Sequence, residues 1–429
     1  MSIDKQVKTG VKWTTISTVV LAVVAILKIS ILTRFLDKSD FGLMALVTFV
    51  MGFMELFNDM GITSAILHKQ GITKKQYASL YWINWIASII MYLLLLVITP
   101  LVASFYEQSL LNTLIPLIGL NLILSAIGRQ YKTIEQKNLL FNTISIIDII
   151  GALLSLGLSV FLAIYGYGVF ALVYSVIFQA LFSNFCYFLI GLRKYGLLFH
   201  FKFHETKEFL KIGMYQVGGQ VVNYFNRDLD ILIIGKFFST DVLGGYSLAR
   251  ELVRRPSSFI IPILNRVGAP ALSKINDNHK KLKQSYLKMT NILASLTIPI
   301  YLIIAFLAYP IVYVLYGESF TDITILVQIL TINMIFRVIG GNVGNLVVAT
   351  GRTDLDFKWN LLTFIVTPLF VLIGSQFGII GVAVMMSLSM VFLYIPSYFY
   401  LIKRMINVSL IEYSKAFFII NFKQFLKIN

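Results

Sequence analysis

Residues 13–36, WTTISTVVLAVVAILKISILTRFL, decide the fold. At 1.5 Å per residue this run makes a helix of roughly 36 Å, enough to cross a hydrocarbon core about 30 Å thick. Lys5, Lys8 and Lys12 precede it, and it exceeds the roughly 7–15 apolar residues of a secretory signal core, so it reads as a retained first span. The rest of the chain repeats the pattern. Of 429 residues 58% are apolar and 13% charged, about half the charged share of a soluble domain. Further apolar stretches lie near 41–67, 79–102, 113–128, 141–164, 169–191, 211–238, 244–272, 288–308, 322–350, 359–377 and 379–402. The expected fold class is therefore an all-α integral membrane protein with about twelve transmembrane helices, and a water-soluble globule is excluded.

The net charge of +16 is distributed in a way that orients the spans. Lys69, Lys74 and Lys75, then Arg129, Lys132 and Lys137, then Arg193, Lys194, Lys202 and Lys207, then Lys274, Lys280, Lys281 and Lys283, then Arg352 and Lys358 fall on alternate connections. The connections around Phe105-Tyr106, Tyr165–Gly168, Tyr316-Gly317 and Gly378 carry no Lys or Arg. The basic side is cytoplasmic, which puts both termini there. Trp13, Trp82, Trp85 and Trp359 fall at the same ends of their spans, where indoles favour the headgroup layer. A weak internal repeat at an offset of 202 lays Arg34-Phe35-Leu36 on Lys236-Phe237-Phe238 and Gly42 on Gly244. Six spans per copy is an even number, so the copies share an orientation and form two lobes that meet at a central cleft. The expected organisation is a six-helix lobe over 1–192, a cytoplasmic linker over 193–210, a second six-helix lobe over 211–408, and an interfacial or truncated tail over 409–429.

Several chemistries are absent from the sequence. There is no phosphate-binding G-x-x-x-x-G-K-[ST] loop, so no ATP-driven motor is encoded and transport has to be secondary. The single Cys186 leaves no intramolecular disulfide and no cysteine metal site. The G-x-G-x-x-A pattern at Gly166–Ala171 sits in a turn between spans, where the strand that a dinucleotide site requires is missing. His200 and His204 have helical spacing but no third ligand, so they read as solvated linker histidines. No cofactor, no metal and no nucleic-acid partner is expected.

The informative residues are the charges inside spans: Lys28, Glu55, Asp59, Asp148, Arg227, Asp228, Asp230, Arg250, Glu251, Arg254, Arg255, Arg266 and Arg337. Each costs about 2.5–3.5 kcal/mol at a lipid-facing helix centre, so they line a wet cleft or pair with one another. Gln216, Gln220, Asn223, Arg227 and Asp230 step by four and three and make one polar stripe. Glu251 with Arg255, and Arg227 with Asp230, have the spacing of structural ion pairs. One acid cannot neutralise the four arginines of the eighth span, and a planar five-donor cation at membrane depth suits a phosphate or diphosphate. The competing reading is that this cluster reaches lipid headgroups. At the repeat offset Lys28 superposes on Asp230, so a Lys28–Asp230 latch on the outer side is expected when the outside is closed.

These residues resemble the polysaccharide (Wzx-type) flippases of the multidrug/oligosaccharidyl-lipid/polysaccharide exporter superfamily. The resemblance is carried by Phe41-Gly42, Asp59-Met60-Gly61-Ile62, Asn226-Arg227-Asp228-Leu229-Asp230-Ile231, Gly245-Tyr246, Pro270–Ser273, Tyr316-Gly317-Glu318 and Gly351–Asp354. It implies a MATE-like pair of six-helix lobes around a cationic cavity in the inner (cytoplasmic) membrane of a bacterium. It also implies alternating access that carries undecaprenyl-diphosphate-linked repeat units to the periplasmic leaflet for surface polysaccharide or O-antigen synthesis. On this reading Arg227, Arg254, Arg250 and Arg337 hold diphosphate, and Asn223 and Gln220 contact sugar. Coupling to H+ or Na+ falls to Asp228, Asp230, Asp148, Glu55 or Asp59, which as acids at membrane depth can exchange a proton. The other partners implied are membrane lipids, a polysaccharide polymerase and glycosyltransferases. Two rivals remain: a drug or cation antiporter of the same architecture, disfavoured by the arginine excess, and a membrane enzyme acting on lipid-linked sugars, disfavoured by the short outer connections.

Overall fold

The computed structural model describes the backbone of residues 3–421 and, within it, the side chains of 7–211, 217–262, 264–265 and 268–421. The side chains of Gln216 and Arg266, and the end of the expected tail at 422–429, lie outside the described residues. The helices are α1 (Ile3–Leu32), α2 (Lys38–Asn58), α3 (Ile62–His68), α4 (Lys74–Tyr106), α5 (Leu111–Lys137), α6 (Phe141–Ile164), α7 (Val169–Tyr195), α8 (Phe203–Phe237), α9 (Thr240–Ser273), α10 (His279–Phe306), α11 (Ala308–Tyr316), α12 (Thr324–Gly340), α13 (Val343–Thr350), α14 (Thr353–Ser375), α15 (Gly378–Ser397), α16 (Lys403–Ile406) and α17 (Leu410–Phe418). Among the described residues ten helical stretches are long and apolar enough to cross a membrane. The helices α8 and α9, of 35 and 34 residues, have the length but carry arginines and aspartates in their middles.

Two of the expected continuous spans are broken. Residues 41–67 divide into α2 and α3 because Met60 and Gly61 take positive φ, +46° and +68°, and Asp59 then caps α3, accepting from Thr63 N at 3.3 Å and Thr63 Oγ1 at 2.6 Å. Residues 322–350 divide at Gly341-Asn342 into α12 and α13. The last long helix, in contrast, continues through a π turn at Tyr398–Ile402 into α16.

The chain forms two compact units. One holds the residues up to Tyr224 with Ser239–Asp241; the other holds Phe225–Phe238 and the residues from Val242 on. The division falls inside α8, fourteen residues beyond the expected start of the second lobe at 211, because the first turns of α8 belong to the first unit. Phe209 is fully buried there with Ile62, Ala65 and Leu80, and Glu208 pairs with Lys69.

Within the first unit α5 packs on α4 and α7, and α6 on α1 and α7. Small residues permit the approach. A Cβ on Gly128 would lie 2.4 Å from Asn184 O, and one on Gly191 would lie 2.0 Å from the Tyr131 ring. Lipid supplies no hydrophobic drive between helices, so such close van der Waals contact holds them together. In the second unit Gly374 and Gly381 bring α14 against α15 in the same way. The tail segment α17 docks on α10: Tyr413 and Phe417 are buried, and Asn291 Nδ2 donates to Ala416 O at 3.2 Å and Ile419 O at 2.6 Å.

Candidate functional site

The charged middles of α8 and α9 meet inside the second unit. On α9 Tyr246, Arg250 and Arg254 recur every four residues, which puts them on one face, and that face meets Asp228 and Asp230 of α8. Arg250 is the centre: its Nη2 lies 2.7 Å from Asp228 Oδ1 and its Nε 2.9 Å from Asp230 Oδ2, and Nη2 also donates to Arg227 O. Tyr246 OH donates to the same Asp230 Oδ2 at 2.7 Å. Arg227 Nε donates to Asp228 Oδ2 at 2.7 Å, while Arg254 Nη1 is 3.4 Å from Asp228 Oδ1. The motif residue Asn226 fixes α8 against α14, donating to Asn360 O at 2.9 Å and Thr363 Oγ1 at 3.2 Å. Arg337 of α12 interacts electrostatically with Arg250, Arg254, Asp228 and Asp230.

Burial grades the cluster. Side-chain exposure rises from 2% at Asp230 through 11% at Arg250 to 32% at Arg254 and 47% at Arg227. Both carboxylates are thus engaged by Arg250, the most buried of these three guanidiniums, while Arg254 and Arg227 are more exposed. Four arginines face two aspartates, a surplus of two positive charges. Such a surplus interacts several-fold more strongly at low effective dielectric than in water, and it attracts a polyanion. Earlier in α8 Gln220 and Asn223 are exposed, two turns and one turn before Arg227 in the sequence. Sequence reasoning did not single out Tyr246 as a site residue; its four-residue spacing from Arg250 was the available signal.

The other expected positions have separate surroundings in the first unit. Asp148 of α6 pairs with Lys132 at 2.9 Å and accepts from Tyr187 OH at 2.8 Å. Asp59 caps α3 and lies 3.8 Å from Arg129. Glu55 of α2 is exposed and has no hydrogen bond or ion pair among the described residues; the charge that acts on it is that of Arg129. Lys28 donates to Ser155 Oγ at 3.0 Å and Ser175 Oγ at 2.8 Å. Both ends of the expected latch are therefore engaged within their own units here. Glu251 and Arg255 form their i, i+4 pair at 3.0 Å. His200 Nε2 lies 3.1 Å from both Glu205 oxygens.

A family model described as "Polysaccharide biosynthesis protein" matches residues 31–325, well over half of the chain and including α8 and α9 with their arginines. The chain belongs to this family. Among its relatives in the polysaccharide biosynthesis family, the amylovoran biosynthesis protein AmsL of Erwinia amylovora is 30% identical over 82% of this chain and 92% of that protein. The lipopolysaccharide biosynthesis protein WzxC of Escherichia coli K12 is 27% identical over 96% of this chain and 84% of its own. The fold is that of the lipid II flippase MurJ in an inward closed conformation, with a TM-score of 0.75 at 17% identity over 94% of this chain and 89% of that one. A MATE-family multidrug transporter in an inward-facing conformation follows at 0.67 and 16% identity, over 90% and 94%. The resemblance and the MATE-like fold class read from the sequence are borne out, and this family member is a multi-pass membrane protein.

Proposed function

We propose that this member of the polysaccharide biosynthesis family is a flippase that moves undecaprenyl-diphosphate-linked oligosaccharide repeat units across a bacterial cytoplasmic membrane by alternating access. The observation that carries the reading is the graded arginine cluster: two carboxylates held by buried Arg250, with Arg227 and Arg254 left more exposed. A guanidinium that already satisfies two acids is a framework residue, whereas Arg254, at 3.4 Å from its acid, and half-exposed Arg227 are the more accessible to a ligand. These two bind the diphosphate bidentately, Arg337 adds its field, and exposed Gln220 and Asn223 meet the sugars. Relatives named for amylovoran and lipopolysaccharide biosynthesis support the substrate class.

On this reading α8 and α9 count as spans beside the ten apolar stretches, an even number keeps both termini on one side, and the basic connections on that side make it the cytoplasm. The protein acts by transport and not by catalysis. Of the candidate acids for H+ or Na+ coupling, Asp228, Asp230, Asp148 and Asp59 already hold partners, so Glu55 is the carboxylate available to exchange an ion.

The test uses a strain dependent on this chain for its surface glycan. Arg227→Gln or Arg254→Gln should abolish surface glycan and leave lipid-linked intermediates on the inner leaflet, with exposed Lys75→Gln as the unaffected control. Normal glycan from an Arg254→Gln protein present in the membrane at normal amounts overturns the assignment.

A further inference from the structure

A second site lies in the first unit, among helix ends that the transport reading does not use. A partly open cavity of about 260 Å³ is bordered by the start of α4, the ends of α5 and α7 and the segment Gly196–Leu198. Its lining includes Tyr77, Tyr81 and Tyr131 together with Gln130, Lys74 and Lys194. The walls are fixed by packing. The Tyr131 ring fits against Gly191, and Tyr131 OH donates to Gly196 O at 3.2 Å. Glu135, 1% exposed, holds Lys194 at 3.0 Å and accepts from Tyr195 OH at 2.8 Å.

Two features define what fits. Glu135 cancels the charge of Lys194, so the net charge of the lining is that of exposed Lys74, and a monoanion matches it. Gln130 is 6% exposed; its Nε2 donates to Tyr77 O at 2.9 Å, which fixes the amide orientation. Its Oε1 then has no donor among the described residues, and a buried carbonyl of this kind calls for one. A ligand with a phosphate for Lys74, a hydroxyl for Gln130 and a carbon skeleton for the tyrosine faces satisfies all three. The volume falls just below the usual range of about 300–1,000 Å³ for small-molecule pockets, which suits a lipid headgroup.

The adjoining linker indicates where that headgroup comes from. Phe199, Phe201 and Phe203 are 89%, 46% and 59% exposed and alternate with His200, Lys202 and His204. Phe199 stacks on Trp82 at 5.4 Å, and Trp82 Nε1 donates at 3.0 Å to Leu198 O, on a residue that lines the cavity. An aromatic and basic segment at helix ends sits at the boundary of headgroups and acyl chains.

We propose that this cavity binds the headgroup of an anionic glycerophospholipid whose phosphate carries a hydroxylated substituent, drawn from the leaflet on the basic side of the membrane. The full-length protein in detergent is incubated with dioleoylphosphatidylglycerol or dioleoylphosphatidylethanolamine, and bound lipid is read by native mass spectrometry. The phosphatidylglycerol should bind at least about fivefold more tightly, and Lys74→Gln and Gln130→Met should each weaken it about fivefold to tenfold. Lys74 is exposed, so that variant decides the question even if Gln130→Met does not fold. Equal binding of the two lipids, or wild-type binding by Lys74→Gln, overturns the proposal. So does displacement of the lipid by glycerol 3-phosphate at equal concentration, which would assign the cavity to a soluble phosphate ester.

Discussion

Replacing Arg250 and Arg254 separately by Gln should divide stability from transport. Arg250 lies 2.7 Å from Asp228 and 2.9 Å from Asp230, with all three side chains at most 12% exposed. Its removal leaves Asp228 with Arg227 and Arg254, but leaves Asp230 with the Tyr246 hydroxyl as its hydrogen-bond donor among the described residues, on one oxygen only. Arg337 still acts on Asp230 electrostatically, but a buried charge that loses its contact partner costs up to about 3–5 kcal/mol. Arg254 is 32% exposed and 3.4 Å from its acid, so its loss should cost under about 1 kcal/mol, as for a surface pair, while still abolishing export. Asp230→Asn removes the stranded charge and keeps an acceptor for Tyr246, so it should recover about 1–3 kcal/mol of the Arg250→Gln loss. Equilibrium unfolding of the purified proteins in mixed detergent gives the stabilities, and surface glycan in cells gives transport. Equal losses from Arg250→Gln and Arg254→Gln would refute the division into a framework and a binding arginine; so would a double variant no more stable than Arg250→Gln alone.

A single cysteine at exposed Ser104 or Ser319, with Cys186 replaced, should react with an impermeant maleimide from outside the cell; labelling only after the cell is opened would reverse the topology. Gly128→Ala should cost about 1–3 kcal/mol by overpacking α5 against the Asn184 backbone, whereas Gly157→Ala, with open space around it, should be neutral or slightly stabilising in the same unfolding assay. Glu412 is pushed down from 4.5 to about 2, first by its hydrogen bond to Lys283 and then by the Ser409 backbone and side chain. A depressed carboxyl holds its segment at pH values above the ordinary range and loses that hold as pH falls toward the folded value. Hydrogen exchange of Leu410–Phe418, corrected for intrinsic rates, should therefore rise between about pH 4.5 and 2 and show no such step in Glu412→Gln.

Much of the molecule was legible from local pattern. Apolar length marked the spans, and the Glu251–Arg255 pair followed from one helical turn of spacing. The break after α2 was present as Asp59-Met60-Gly61, yet the apolar residues on either side read as one run because hydropathy does not register a reversal of φ. Likewise Gln220, Asn223 and Arg227 shared a stripe on paper, since a period of 3.6 fixes which residues share a face.

What the sequence determined by itself was thus the set of helices, their faces and the surplus of arginine over acid in the eighth span. Which arginine that surplus leaves available was decided by the tertiary structure alone. Asp230 has Arg227 three residues before it in its own helix, but the guanidinium 2.9 Å from it belongs to Arg250 of the next. The same holds for the cavity bounded by Lys74, Gln130 and Lys194, whose members are more than fifty residues apart along the chain. Spacing within one helix is set by backbone geometry and can be read from the chain, whereas ion pairing and cavities depend on distances between helices, which are set by where glycines let them approach.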